Sequence, residues 1–176
     1  MPQAGKDARE YSAVETLRDG ARLEIRALRP EDRSELVGAV DRMSDESLRR
    51  RFFAPKRHFS ESEIEFYCNV DFVTHVALVA VLDVDGHQTI VGGARYIVVA
   101  PGVAEVAFAV DDAYQGRGIG GQLVGHLAAI ARAAGLRELV AEVLAGNAAM
   151  LWLFRNSGLE VESTHEGGVV HMTLRL

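Results

Sequence analysis

With a single cysteine, Cys68, the chain can form no intramolecular disulfide, which fits a reducing compartment. Nor does it hold an apolar run long enough to cross a membrane. The greasiest stretch, Val73 to Val84, is broken by Thr74, His75 and Asp83 and is far short of the ~20 residues a span needs. The start, MPQAGKDARE, has no apolar h-region and no cleavage pattern; cytoplasm is the expected location, with no membrane partner. Basic residues are in the minority, 19 Lys+Arg against 25 Asp+Glu for a formal charge of −6. Coating nucleic acid takes clustered Lys and Arg, so no nucleic-acid partner is expected. Local capture of an anion by backbone amides stays open. Six histidines fall without H-x-x-x-H spacing, and no C-x-x-C occurs, so no metal is expected. The chain also lacks a G-K-[ST] phosphate loop and a G-x-S-x-G nucleophile elbow.

What is there is one domain's worth of ordinary globular sequence: 176 residues, 48% hydrophobic and 25% charged. Residues 1–16 are polar and aperiodic and read as a flexible tail, leaving 17–176 as the folded domain. Leu23 and Ile25 alternate with polar neighbours, as in a half-buried strand. Pro30 opens a helix through about Met43, and Ser44 caps a second helix bearing Leu48, Phe52 and Phe53. That helix also carries Arg49, Arg50 and Arg51, a run that more often marks a solvated face than a binding patch. Ser60 with Glu63 is a capping box for a third helix, to about Tyr67; Cys68 reads as a small core residue. Strand patterns follow at His75 to Val84, Thr89 to Val99 and Val103 to Val110, joined by Asp85-Gly86 and Pro101-Gly102 turns. Then come a helix over 116–134, a strand over 136–144, a helix over 147–157 and a hairpin around Gly167-Gly168. This order predicts a single α/β (α+β) domain with a mixed, mostly antiparallel sheet flanked by helices.

The segment Val103 to Val110, a five-residue connection and Gly116-Arg117-Gly118-Ile119-Gly120-Gly121 carries the functional signal. A strand feeds a glycine-dense turn that starts a helix. Glycines let backbone approach a ligand closely, and a helix start offers unpaired amides to an anion. Gly120, Gly121 and Gly125 lie inside the helix, each costing about 1 kcal/mol against alanine, so close approach or tight packing should account for them. Gly116, Gly118 and Gly121 also satisfy G-x-G-x-x-G, with Glu138 or Glu142 about 20 residues on. The context opposes a dinucleotide fold: the turn does not follow its strand directly, the upstream strands are joined by hairpins, and too little chain follows for further parallel units.

Gln115-Gly116-Arg117-Gly118-Ile119-Gly120 resembles the Q/R-x-x-G-x-G/A signature of the GNAT acyltransferase superfamily, and Asn147 to Leu159 resembles its N-x-x-A-x-x-L-Y-x-K-x-G-F stretch. Leu17-Arg18-Asp19-Gly20, Arg29 to Asp32, Met43 to Ser47 and Arg51-Phe52-Phe53 are similar to bacterial protein lysine acetyltransferases of the Pat type. The resemblance implies a GNAT-like fold and acetyl-CoA as cosubstrate. It implies that Phe108, Ala109 and Val110 pair with the pantetheine arm while Gln115, Gly116, Arg117, Gly118, Ile119, Gly120 and Gly121 hold the pyrophosphate. The expected acceptor is a protein lysine, with acyl-CoA synthetases leading. A small amine such as an amino acid or aminoglycoside, or a non-catalytic acyl-CoA sensor, are the alternatives; a homodimer is left open.

Glu105 is the candidate general base, in the A-E-[IV]-x-F context of GNAT lysine acetyltransferases. A lysine amine has a pKa of about 10.4 and attacks a thioester only when neutral, whereas a carboxylate near 4.3 is a poor base unless burial raises it. Val103, Val106, Phe108 and Val110 are the expected apolar neighbours; an exposed strand glutamate paired across the sheet is the alternative. Phe154 occupies the place of the family's proton-donating tyrosine and cannot donate. A thiol pKa near 8.5 makes the thiolate an acceptable leaving group without it. Asn147 is read equally as a cofactor contact or as a helix cap.

Overall fold

Alternation of period two builds β2 (Arg22–Ala27), where Leu23 and Ile25 are fully buried. The computed structural model describes residues 7–54 and 56–176. Within them β1 (Ser12–Thr16) pairs antiparallel with β2, so the expected tail is corrected in part. Its polar residues form an edge strand whose outward side chains need no core, which is why hydrophobic patterning missed it. The part of that expectation on residues 1–6 lies outside the described residues.

Pro30 starts a 3-10 turn, where its missing amide costs nothing, and α1 (Arg33–Asp41) continues from it. Ser44 caps α2 (Asp45–Phe52) by accepting the Ser47 amide, and Ser60 with Glu63 forms a reciprocal capping box for α3 (Glu61–Cys68). Beside α1, Asp32 accepts two hydrogen bonds from the Arg26 guanidinium at 2.7 and 2.8 Å and one from the Arg29 amide at 2.7 Å. Burial pushes the Asp32 carboxyl up, but these donors outweigh it and hold it below the usual carboxylate range. Asp32→Ala strands a buried guanidinium, so urea unfolding should show a loss of about 3 kcal/mol.

β3 (His75–Val84) is covered on both faces, with Val76, Leu78 and Ala80 in one core and Ala77, Val79 and Val81 in another. It pairs with β4 (His87–Ala100), which pairs with β5 (Val103–Val110), all antiparallel. After the glycine turn come α4 (Ile119–Ala133), β6 (Glu138–Leu144), α5 (Ala148–Arg155), β7 (Glu160–Glu166) and β8 (Val169–Arg175). The eight strands described form one sheet in the order β1-β2-β3-β4-β5-β6-β8-β7, and only β5 and β6 run parallel. This is the mixed, mostly antiparallel sheet that the element order predicts. The larger core lies under α4, whose Ile119, Leu123 and Leu127 are buried against the sheet. The smaller lies on the opposite face, where Leu36 and Ala39 of α1 pack on β3. A cleft opens at the parallel β5–β6 junction.

Candidate active site

β5 and β6 pair over only three residue couples, Val103 with Glu138, Ala104 with Leu139 and Glu105 with Val140. Beyond Glu105 the strands part, because β6 stays paired to β8 along its whole length and β5 to β4. The wedge between them is a cleft of about 560 Å³. Glu105 to Val110 form one wall, and Ala141 to Val143 with Asn147 and α5 form the other. The Asp111 amide donates to the Val91 carbonyl of β4 at 2.8 Å. By strand alternation the backbone groups of Val106, Phe108 and Val110 then face the gap. An extended amide-bearing ligand laid along this edge would complete the sheet.

The glycine turn closes the mouth of the wedge. Asp111 caps a 3-10 turn, and Gln115 Nε2 donates to the Val110 carbonyl at 3.0 Å, so the Gln115 side chain braces the loop. Gly116 and Gly118 sit at φ of 77° and 88°, left-handed conformations that suit glycine. Gly118 is the N-cap of α4 and offers no capping side chain. The next amide to find an acceptor is that of Gln122, on the Gly118 carbonyl. Six successive amides, Gly116 to Gly121, thus have no acceptor among the described residues. They lie at the positive end of a 15-residue helix, a ready seat for a diphosphate.

Of the candidate contacts, Phe108, Ala109, Val110, Gln115, Gly116, Gly118, Ile119, Gly120, Gly121 and Asn147 line the cleft together with Glu105. The Arg117 side chain does not. It binds Asp19 in the β1–β2 turn at 2.6 Å and lies over the Tyr114 ring, so Arg117 offers the turn its backbone amide and not its guanidinium. The carboxylate of Asp19 takes the charge instead. A Cβ on Gly120 would stand 3.1 Å from Leu153 of α5, so tight helix packing accounts for that glycine, whereas one on Gly125 meets nothing within 4 Å. Asn147 is buried and its side chain accepts the Met150 amide, capping α5 while also facing the cleft.

Glu105 is exposed, at the floor of the cleft where β5 and β6 separate. The expected desolvation by Val106, Phe108 and Val110 is corrected: these alternate onto the opposite face. There Phe108 packs edge-on against Phe154, ring centroids 5.5 Å apart. Phe154, at 2% exposure, is a core residue here. On the Glu105 face stand Arg51, whose run reads in the sequence as a solvated face, and Arg95, which no sequence pattern marks. Arg51 of α2 lies over the Phe52 ring at 4.6 Å, and Arg95 of β4 lies over the Tyr67 ring at 4.9 Å. Burial depresses both guanidinium groups, Arg95 to about 10. Next to Arg95, His75 is pushed down to about 4, first by burial and then by that guanidinium. An unfolded chain protonates His75 near pH 6.5 while the folded one resists to about 4. Stability contributed by neutral His75 is therefore present above pH 6.5 and lost on acidification towards 4. His75→Gln should flatten the pH dependence of unfolding in this window by about 2–3 kcal/mol, measured by urea titration at each pH.

Residues 42–159 match the acetyltransferase (GNAT) family. The chain belongs to the GNAT acetyltransferase family. An acetyltransferase of Pseudomonas aeruginosa is 33% identical to it over 138 residues, covering 78% of this chain and 74% of that one. Acetyltransferase Pat of Mycolicibacterium smegmatis is 32% identical over 136 residues, or 76% of this chain, which spans only 40% of that protein's length. Among solved structures, the GNAT domain of S. lividans PAT superposes with a TM-score of 0.85 at 36% identity, covering 94% of this chain and 97% of that one. As a GNAT family member related to Pat, the chain is an N-acetyltransferase, and the splayed β5–β6 pair with its glycine turn is the part of its fold suited to an acyl donor.

Ser47 and Arg50 of α2 and Trp152 of α5 also line the cleft, and Ser47 ties α2 to the glycine turn through Asp112, which accepts from the Ser47 hydroxyl and, at 2.8 Å, from the Ser44 amide. No local signal marks them. Only the pairing of α2 with the turn after β5, more than 60 residues away, makes them neighbours.

Proposed function

We propose that this GNAT enzyme takes acetyl-CoA in the β5–β6 cleft and moves the acetyl group to a lysine side-chain amine of a protein. The observation that carries the cofactor is the run of free amides from Gly116 to Gly121 at the cleft mouth. In a net acidic protein, backbone amides and a helix start are what can accept the diphosphate. The pantetheine arm then lies along the outward edge of Phe108 to Val110. Kinship with Pat over the whole fold supports the lysine acceptor.

In this reading the reaction is direct attack in a ternary complex. The neutral amine adds to the thioester carbonyl, the N–C bond forms and the C–S bond breaks. Glu105, through a bridging water, takes the proton that the amine nitrogen sheds. Coenzyme A leaves as thiolate and is protonated by solvent, consistent with Phe154 having no proton to give.

A small amine is a second reading, favoured by a half-open hollow of about 130 Å³ behind Arg51 and Tyr67. Labelled acetyl-CoA incubated with the enzyme and a cell lysate, and then with a purified acyl-CoA synthetase, separates the two. Label on protein lysines supports the first reading, and label confined to small molecules supports the second. No label on anything, with acetyl-CoA still bound, would leave a sensor.

A further inference from the structure

The hollow of about 130 Å³ lies between α1, α2, α3 and the sheet face formed by β3, β4 and β5. It touches the main cleft along Met43, Arg51, Phe52, Tyr67, Ala107 and Ala109, which line both. Arg51 therefore stands at the junction, and Arg95 lines the inner hollow. Small side chains make the space: Arg95 is opposite Ala77 of β3 and Ala107 of β5, with Gly93 opposite Ala109 alongside.

Two cations stand here. Among the described residues neither Arg51 nor Arg95 has a carboxylate within ion-pair distance. Among the described residues Arg51 makes no side-chain hydrogen bond, and Arg95 uses one nitrogen, Nη1, for the Tyr67 carbonyl at 3.1 Å and His75 Nε2 at 3.0 Å. Of the two carboxylates lining the hollow, Asp111 is committed to Arg42 at 3.2 Å, and Asp41 is not within ion-pair distance of either arginine. Glu105 shares the Arg95 face of the sheet, two residues along β5 from Ala107, and leaves one positive charge of the three groups unbalanced. Holding two half-buried guanidinium groups side by side among Phe52, Tyr67 and alanines is costly unless an anion joins them.

We propose that Arg51 and Arg95 form an anion subsite beside the acceptor end of the cleft, reading a carboxylate carried by the amine substrate near its reactive nitrogen. This rests on the acetyl-transfer reading above and adds to it the acceptor's chemistry. The planar guanidinium suits bidentate capture of a carboxylate. Bound there, the anion would neutralise the local positive charge that otherwise repels an approaching ammonium. The carboxylate could belong to a free amino acid or to an acidic residue flanking a lysine in a protein.

The test uses two matched acceptor pairs. Lysine against cadaverine differ by a carboxylate; a peptide with glutamates flanking its lysine against one with glutamines differ likewise. The anionic member of at least one pair should have a KM about 10- to 100-fold lower. Arg51→Met should collapse that ratio towards one. A preference in the first pair identifies a small acceptor, and one in the second a protein. Independently of turnover, titration with inorganic sulfate should move the Arg51 and Arg95 side-chain N–H resonances in the wild-type protein, and not the Arg95 resonance in Arg51→Met. Equal KM values within both pairs, or unmoved arginine resonances at saturating sulfate, would overturn the subsite even with coenzyme A bound and turnover intact. Loss of coenzyme A binding itself would instead count against the acetyl-transfer reading. Should Arg51→Met fold poorly, the wild-type pairs and the sulfate titration decide.

Discussion

Glu105→Gln is expected to lower kcat for acetyl transfer by about 10²–10⁴-fold, the range a positioned general base contributes. At neutral pH about one lysine amine in 2,500 is uncharged, given a pKa near 10.4, so a group that accepts the proton at the moment of attack governs the rate. Glu105 has the position for it. It lies where β5 and β6 separate, at the floor of the cleft, with its side chain on the face towards α2. Glutamine keeps the shape and loses the base, so the variant's rate should climb with pH as free amine accumulates. Acetyl-CoA affinity should not change, because the free amides lie at the other end of β5. A kcat within about threefold of wild type, on a folded protein, would remove Glu105 from this role.

Gly118→Val is expected to weaken coenzyme A binding by about 100-fold or more. Gly118 holds φ at 88° and caps α4. A left-handed residue with a side chain costs about 1–3 kcal/mol, and a β-branched one lies at the upper end. A Cβ there meets nothing within 4 Å, so the effect is one of backbone conformation and not of collision. The turn relaxes, and the amides of Gly116 to Gly121 cease to converge. The exposed position leaves the core untouched, so the protein should still fold, less stable by no more than that backbone cost of about 1–3 kcal/mol. Gly125→Ala is the matched control. It lies in the same helix with open space around it, and should leave binding unchanged while stabilising α4 by up to about 1 kcal/mol.

Much of this architecture is legible along the chain because its signals are local. Ser44 and Ser60 mark helix starts by hydrogen bonds made within three residues and Pro30 by its missing amide donor, and the structure places α2, α3 and the 3-10 turn before α1 there. The His75–Val84 strand reads directly from the apolar run Val76 to Leu82 within it. What the text of the chain could not give is what long-range pairing decides. β1 is polar and becomes a strand only because β2 offers it an edge. Arg117 lies within the glycine signature, yet Asp19, 98 residues away, claims its side chain. The environment of Glu105 is not legible because adjacent strand residues point to opposite faces: Val106, Phe108 and Val110 lie on the far side of the sheet. Arg51 looked like part of a solvated run, since Arg49 and Arg50 hide the fact that one residue of the three turns inward against Phe52 and Tyr67. Gly125 has no structural reason visible in its surroundings.

Isothermal titration with coenzyme A and, in parallel, with pantetheine isolates the contribution of the diphosphate end. If the amides from Gly116 to Gly121 grip that group, coenzyme A should bind at least about 100-fold more tightly than pantetheine, since several charge-assisted hydrogen bonds are lost with it. Equal affinities for the two, or no heat from either on folded protein, would contradict the account.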